Sequence, residues 1–329
     1  MKIINWAIVI VLMVLPMYLI LDFRTSAMTV VQREEDKYDA ALRAATQDAA
    51  AQLNTNVSQE YEAGYGSEKY FRANKELALD TFYRSLYLNF GVVNDLTGQG
   101  TLNAYLPAIV VTDYDGYYLY VMTEYKGSDG QVQYKHTWRP KKPYAYSDQS
   151  GNTINFSLDG FVKVYQRSTG TWIEGRQVDL KGKTSVDLLN HTDQFEAKRR
   201  EVIVSSIQQD LQYFINKHNQ YASRNGISYI FTLPTIDQEE WTNTIDDIGI
   251  IAFLQGIPMG DQAYNNYALG SGRLVKTTSV VGAVDPDTGT KYAYNATCTF
   301  PYEPQEIFSN KKEAAAAGYF PKECVNGQK

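Results

Sequence analysis

Histidines, paired aspartates and cysteines are the residues through which this chain could do chemistry, and their spacing decides which chemistry is open. His136, His191 and His218 are isolated from one another in the sequence. His218 follows Phe214 by four positions near the end of a helical pattern, where a packed or dipole-satisfying imidazole accounts for it. No serine sits in a nucleophile-elbow pattern, no glycine-rich loop could cradle phosphate, and no His-Glu-x-x-His occurs. The expectation is a protein that is not an enzyme, with no catalytic residue, no metal site and no cofactor. Asp113-Tyr114-Asp115-Gly116 and Asp285-Pro286-Asp287-Thr288-Gly289 each supply about half of a calcium loop. Calcium takes six or more oxygens, including a late bidentate carboxylate. Neither stretch continues that way, so both read as hairpin turns. Cys298 and Cys324 are an even pair, which outside the membrane predicts a disulfide. It would close a loop of about 27 residues and contribute about 3–4 kcal/mol in the chain-entropy account.

The compartment follows from the first residues. Lys2 precedes an uncharged run from Trp6 to Ile20, closed by Asp22 and Arg24. The run is at the short end of what crosses a bilayer core of about 30 Å, and Pro16 inside it removes a backbone donor. Asp22, Glu34, Glu35 and Asp36 offset Arg24, Arg33 and Lys37 beyond it, so the positive-inside rule predicts an inner N-terminus and an outer body. A cleaved secretory signal, with Thr25 and Ala27 at the peptidase site, is the alternative, and it also leaves the body outside. The net charge of −6 over 329 residues argues against nucleic acid as a partner. Lys198-Arg199-Arg200 and Arg139-Pro140-Lys141-Lys142 read as solvated basic faces. The 26 tyrosines suit sheet faces and contact surfaces.

Several elements must position these residues. Beyond the membrane run, Tyr38, Leu42, Ala45, Ala49 and Leu53 recur at helical spacing, a narrow and alanine-rich stripe suited to close helix packing. Nothing breaks the chain before it, so one helix of about 50 residues is predicted. A loop over 54–66 and a second helix from Ser67 to Asn89, ended by Gly91, follow. Strands are then predicted at Ala108–Thr112 and Tyr117–Tyr125 around an Asp-Gly turn, at Gln131–Trp138, and near 153–157, 161–166 and 171–173. Asp193 and Glu196 make a capping box for a helix to about Ser223. Ile227–Leu233 reads as a strand, and a further helix from Asp237 ends in the apolar run Gly249–Leu254. A hairpin spans Arg273–Val281 and Thr290–Ala296. The fold class is α+β: a transmembrane helix continuing into an amphipathic stalk, a mainly antiparallel sheet with packed helices, and a small disulfide-closed C-terminal subdomain. The expected domains are an anchor over 1–23, a stalk and loop over 24–66, an extracytoplasmic domain over 67–289 and a subdomain over 290–329.

Two resemblances bear on function. The tail Glu313-Ala314-Ala315-Ala316-Ala317-Gly318-Tyr319, then Pro321 and Cys324, resembles the end of small zinc modules in DNA-repair methyltransferases and some secreted nucleases. Carried over, the ligand positions fall at Tyr294, Cys298, Lys322 and Val325, which leaves Cys324 off register and too few ligands for zinc. The resemblance implies the shape with a disulfide in place of the metal. The membrane helix, the stalk and the stretch Tyr38-Asp39-Ala40-Ala41-Leu42-Arg43-Ala44-Ala45 resemble pilins, pseudopilins and membrane proteins of tight-adherence pilus systems. The whole chain resembles surface proteins encoded beside such systems in Gram-positive bacteria. The prepilin pattern is not kept, because no Gly precedes the apolar run and no Glu stands five residues into it. The resemblance implies a structural or accessory subunit whose partners are the lipid bilayer and other envelope or pilus-like subunits met through the stalk stripe. The alternative is an extracellular sensor-like module, since a membrane helix, a helix and strands around Asp113–Gly116 also resemble bacterial receptor domains.

Overall fold

The computed structural model describes residues 2–54, 72–237, 240–241, 245–272, 280–286, 288–295, 301–308 and 311–322. Its first element is one unbroken helix, α1, over Lys2–Leu53, with Pro16 inside it. Among the described residues this is the one helix long and apolar enough to cross a membrane. From Val11 to Leu21 the large apolar side chains are exposed. From Ala41 onward one face of the same helix is buried.

The chain forms two compact units, Met1–Leu274 and Val275–Lys329. In the first, α2 (Lys75–Phe90) and α3 (Leu96–Ala104) lead into the strands β1 (Ala108–Asp113), β2 (Gly116–Lys126), β3 (Val132–Trp138), β4 (Lys142–Ser147), β5 (Thr153–Phe156), β6 (Phe161–Gln166) and β7 (Thr171–Arg176). One helical turn, α4 (Gln177–Leu180), precedes the long α5 (Thr192–Arg224), and β8 (Gly249–Met259) and β9 (Gln262–Ser271) complete the unit. The sheet order is β7-β6-β5-β4-β2-β1-β8-β9, with β3 also on β2 and all pairs antiparallel. Beyond its pairing with β1, β2 serves two further neighbours: Gly116 and Tyr117 pair with β4, and Tyr120–Lys126 pair with β3. Gly116 must lack a side chain because a Cβ there would lie 2.5 Å from the Lys142 carbonyl oxygen.

The second unit is a small sheet of β10 (Val280–Val284), β11 (Lys291–Asn295), β12 (Pro304–Phe308) and the short β13 (Phe320–Pro321), in the order β12-β10-β11-β13. A short helix, α6 (Lys311–Ala316), ends on Gly318, whose φ of 82° is the left-handed conformation that glycine adopts freely. The amides of Gly318 and Tyr319 return to the carbonyls of Ala315 and Ala314. Val280, Ala293, Phe308, Ala314 and Tyr319 make this unit's own core. Cys298 and Cys324, and with them the expected disulfide, lie outside the described residues.

The structure corrects several expectations. Gly249–Leu254 is not a helix end but the buried start of β8, an interior strand between β1 and β9. A short apolar run has no period of its own, and here both faces are covered. Ile227–Leu233 contains no strand: Phe231 bonds through its amide and carbonyl to the Asn219 side chain, not to a sheet neighbour. α2 begins after Asn74, whose side chain accepts from the Leu77 amide, and Ser67 lies outside the described residues. The capping box at α5 does not form: His191 is the N-cap, and Glu196 instead accepts from Arg199.

The largest correction concerns the stalk stripe. Leu42, Ala45, Ala49 and Leu53 are buried against this chain's own α2, β8 and β9, and not offered to a neighbour. Tyr38 stacks on Phe90 at 5.2 Å and meets Tyr264 edge-on at 5.5 Å. The small residues are there because β9 comes very close: a Cβ on Gly270 would sit 2.5 Å from the Thr46 carbonyl oxygen and 2.9 Å from Ala50 Cβ. Polar groups fix the rotation of the helix, since Asp39 accepts from the Tyr264 hydroxyl at 2.6 Å and from Asn266 at 2.7 Å, and Asp48 accepts from Ser85 at 2.7 Å. Ala45→Glu is therefore expected to destabilise the whole first unit by about 3 kcal/mol or more, through overpacking and a desolvated charge. Ala40→Glu, one turn away and exposed, should stay within about 0.5 kcal/mol of the parent. Thermal melts of the two variants check this directly.

Candidate functional site

Four places in the first unit gather groups capable of chemistry or binding. The first is the β1–β2 turn. Asp113 is 1% exposed, and its Oδ1 accepts from the amides of Ala73 at 3.2 Å and Tyr114 at 2.9 Å. Its Oδ2 takes Lys141 Nζ at 2.8 Å and faces Arg72 at 3.6 Å. Asp115 takes Arg72 at 2.9 Å and also pairs with Lys141. Burial lowers the affinity of Lys141 for its proton, but the two carboxylates outweigh that and raise its pKa. Among the described residues two carboxylates and two cations thus share one ion set, and the carboxylate oxygens are engaged by these cations and by backbone amides. The turn is structural, and it ties the chain at Arg72 to the end of the sheet.

That set corrects in part the reading of the two basic clusters as solvated faces: Arg139, Pro140 and Lys142 are exposed, but Lys141 and Arg199 are drawn in. Lys141 is inside the ion set, and Lys142 pairs with Asp210 at 2.8 Å. Arg199 is 3% exposed, donates to the carbonyls of Ser157 and Leu158, and pairs with Glu196. Arg200 grips both oxygens of Asp246 at 2.9 Å. A run of like charges in sequence is split between opposite partners once a helix or strand turns successive side chains apart.

The second place brings together two histidines that the sequence keeps apart. His136 of β3 donates from Nε2 to the Leu106 carbonyl at 2.9 Å, and His218 of α5 donates to the Ala104 carbonyl at 2.9 Å. Their rings are 6.4 Å apart. His191 stands elsewhere, exposed beside Asp187. The shared target is the segment leading from α3 into β1, whose carbonyls face both β3 and α5. Burial pushes the His136 pKa down to about 4, with the hydrogen bond to Leu106 opposing and the neighbouring His218 reinforcing the shift. Burial likewise lowers His218. Both rings are neutral at pH 7, and the pair acts as a clasp between α5, β3 and the α3–β1 segment.

The third and fourth places are grooves. The larger, about 890 Å³, runs between α3, the segment after α5 and the β8–β9 turn, and is lined by Thr97, Thr101, Tyr105, Tyr229, Asp261 and Gln262 among others. Its floor depends on Gly256, at the β8 bulge with φ 88°, where a Cβ would meet the Tyr229 ring at 2.8 Å. The smaller, about 470 Å³, lies over Arg139, Lys142, Asp210 and Phe214, with the Arg139 guanidinium over the Phe214 ring at 5.8 Å. Neither groove has a local sequence signal, because each is lined by three segments distant in the chain. Among the described residues no group of three or more His, Cys, Asp or Glu side chains could hold a metal ion.

No family model, curated protein or solved structure matches this chain.

The histidine clasp sets a pH dependence with a definite sign. The unfolded chain titrates His136 near 6.5 and the folded chain near 4. Unfolded chains therefore bind more protons between those values, and stability is full above about pH 6.5 and declines as pH falls through 4. His136→Gln, which keeps a donor for the Leu106 carbonyl, should flatten that part of the decline. Urea midpoints of parent and variant, compared from pH 7 to pH 4, measure the difference.

Proposed function

We propose that this chain is a single-pass, membrane-anchored extracytoplasmic subunit of a bacterial envelope assembly, pilus-like or secretory, that acts through protein–protein contacts. The observation that carries the proposal is the continuity of α1. The same helix exposes a bare apolar surface from Val11 to Leu21 and forms the core of the head from Ala41 to Leu53. Such a head is mounted on its anchor without a flexible joint, which suits a part that must hold a fixed pose relative to the membrane and to neighbours. The charge asymmetry around the apolar run supports an outer head.

Because the stripe Tyr38 to Leu53 is occupied within the chain, neighbours are met elsewhere. Candidate surfaces are the exposed membrane half of α1 and the free edge of the sheet at β7, where Trp172 stands 52% exposed. An edge strand with an exposed aromatic is a standard place for strand-to-strand association.

A second reading, a ligand-binding module working with a partner receptor, is favoured by the 890 Å³ groove beside α3. Its lining carries Asp261 as its single carboxylate, so a ligand there would be met chiefly by hydroxyl, amide and backbone groups.

The two readings separate in one preparation. Full-length chain extracted from native membranes in mild detergent is expected to migrate as a stoichiometric complex with other envelope proteins, and Trp172→Glu to release it. A single chain that co-purifies with a small molecule, and whose melting temperature that molecule raises, would contradict the assembly role and support the second reading.

A further inference from the structure

We infer that the base of the head rests on the bilayer, with an apolar rim sunk into the lipid interface around the point where α1 emerges. This rests on the reading of α1 as a membrane anchor and goes beyond it, because an anchor could equally hold its head clear of the surface.

The base is defined by where α1 first meets the rest of the chain. A Cβ on Gly260, in the β8–β9 turn, would lie 3.6 Å from Val31 of α1. α2 runs antiparallel to α1, from the Asn74 amide donating to the Leu53 carbonyl down to Phe90 stacked on Tyr38, so its far end and the start of α3 lie at this same base. The sheet register adds a third tip. Ile109 of β1 faces both Tyr120 of β2 and Ala252 of β8. From that level β2 continues to Lys126 and β8 to Met259, each about 20 Å at 3.3–3.4 Å per residue. The β2–β3 hairpin and the β8–β9 turn therefore reach down together.

Large apolar side chains stand bare on two of these tips, the α2–α3 corner and the β2–β3 hairpin. Leu88 is 69% exposed, Val93 49% and Leu96 84% at the α2–α3 corner, and Tyr125 and Val132 are 43% and 44% exposed on the β2–β3 hairpin. Corners and hairpin tips are ordinarily polar, so bare leucines and valines on two separate tips at one end mark a surface that is covered in use. Tyr125 beside Lys126 is the pairing found at lipid headgroups, an amphipathic ring with a cation that can reach water.

The length of α1 says what covers it. Ile3 to Val31 is 29 residues with Asp22 and Arg24 its only charges, about 43 Å of helix at 1.5 Å per residue. That equals the full thickness of a bilayer with its headgroups, about 40–45 Å. Phe23, Met28 and Val30 are exposed and carry the apolar surface past Asp22 and Arg24 up to the head, and the dense charge run Arg33 to Lys37 begins where the head begins. A helix of this length places Val31, and with it the base, at the headgroup boundary. Asp95, Asp129 and Asp261 share this end with Lys126, so anionic lipid gives no advantage. The occupant is the bilayer surface itself, held by apolar insertion.

The test uses the full chain in phosphatidylcholine vesicles, with p-benzoylphenylalanine replacing Leu96, Val93, Val178 or Leu15 one at a time. Irradiation followed by mass analysis counts lipid adducts. Leu15→p-benzoylphenylalanine reports on the anchor, and Val178→p-benzoylphenylalanine, an exposed apolar site beside the far edge strand, reports on chance contact. Positions 93 and 96 are expected to give about tenfold more lipid adduct than position 178, unchanged by added salt. Adducts at 15 with none above the position-178 level at 93 and 96 would overturn the docking while leaving the anchor intact. Adducts from 93 and 96 to a second protein chain would overturn it in favour of a protein partner. Absence of adducts at 15 would overturn the anchoring itself, and the docking with it.

Discussion

The close approach of α1 to β9 is the contact on which the first unit depends. A helix backbone can sit against a strand this tightly only if the facing positions are stripped of bulk, and here the Thr46 backbone and Ala50 face Gly270. The gain is dense packing. The cost is intolerance, because any added atom at the seam must push a 52-residue helix off its sheet. Asp39, held by Tyr264 and Asn266, and Asp48, held by Ser85, add direction to a seam that small apolar residues alone would leave free to slide or rotate.

From that seam the rest of the head is ordered outward. β8 and β9 lie under α1, α2 closes its flank, and β1 and β2 carry the sheet on to the wing of β4 to β7. Two polar devices hold what packing does not. The ion set of Arg72, Asp113, Asp115 and Lys141 closes the top of the β1–β2 turn. The histidines of β3 and α5 clamp the carbonyls on either side of Tyr105. Buried ion sets contribute little net stability against an apolar equivalent, but breaking one is costly, so such a set specifies geometry more than it adds stability. Both devices lie within the head, which leaves its base and its free edge for outside contacts.

Much of this was legible in the residues, and the failures have physical causes. The long helix announced itself through an apolar run with no breaker after it, and the β1–β2 hairpin through Asp115-Gly116. The stripe on α1 was visible as a packing surface, yet its partner was not. Gly270 lies far along the chain, and a glycine in a strand signals close approach without naming what approaches. Gly249–Leu254 reads as the end of a helix because a strand buried on both faces has no alternation to read. Lys141 reads as solvated because a charge in sequence does not show the Asp113 and Asp115 that meet it. The larger groove, assembled from α3, the segment after α5 and a hairpin turn, has no local signal at all.

The central claim is that one helix is both anchor and core, so that the outer half of α1 opens only when the head does. Hydrogen exchange on the full chain in lipid nanodiscs reads this residue by residue. The account predicts that amides from Tyr38 to Leu53 exchange as slowly as those of β1 and β8, and that denaturant releases them all in one step. Exchange of Tyr38 to Leu53 that is much faster than that of β8, or release well before it, would show that the helix leaves the head independently and would contradict the account.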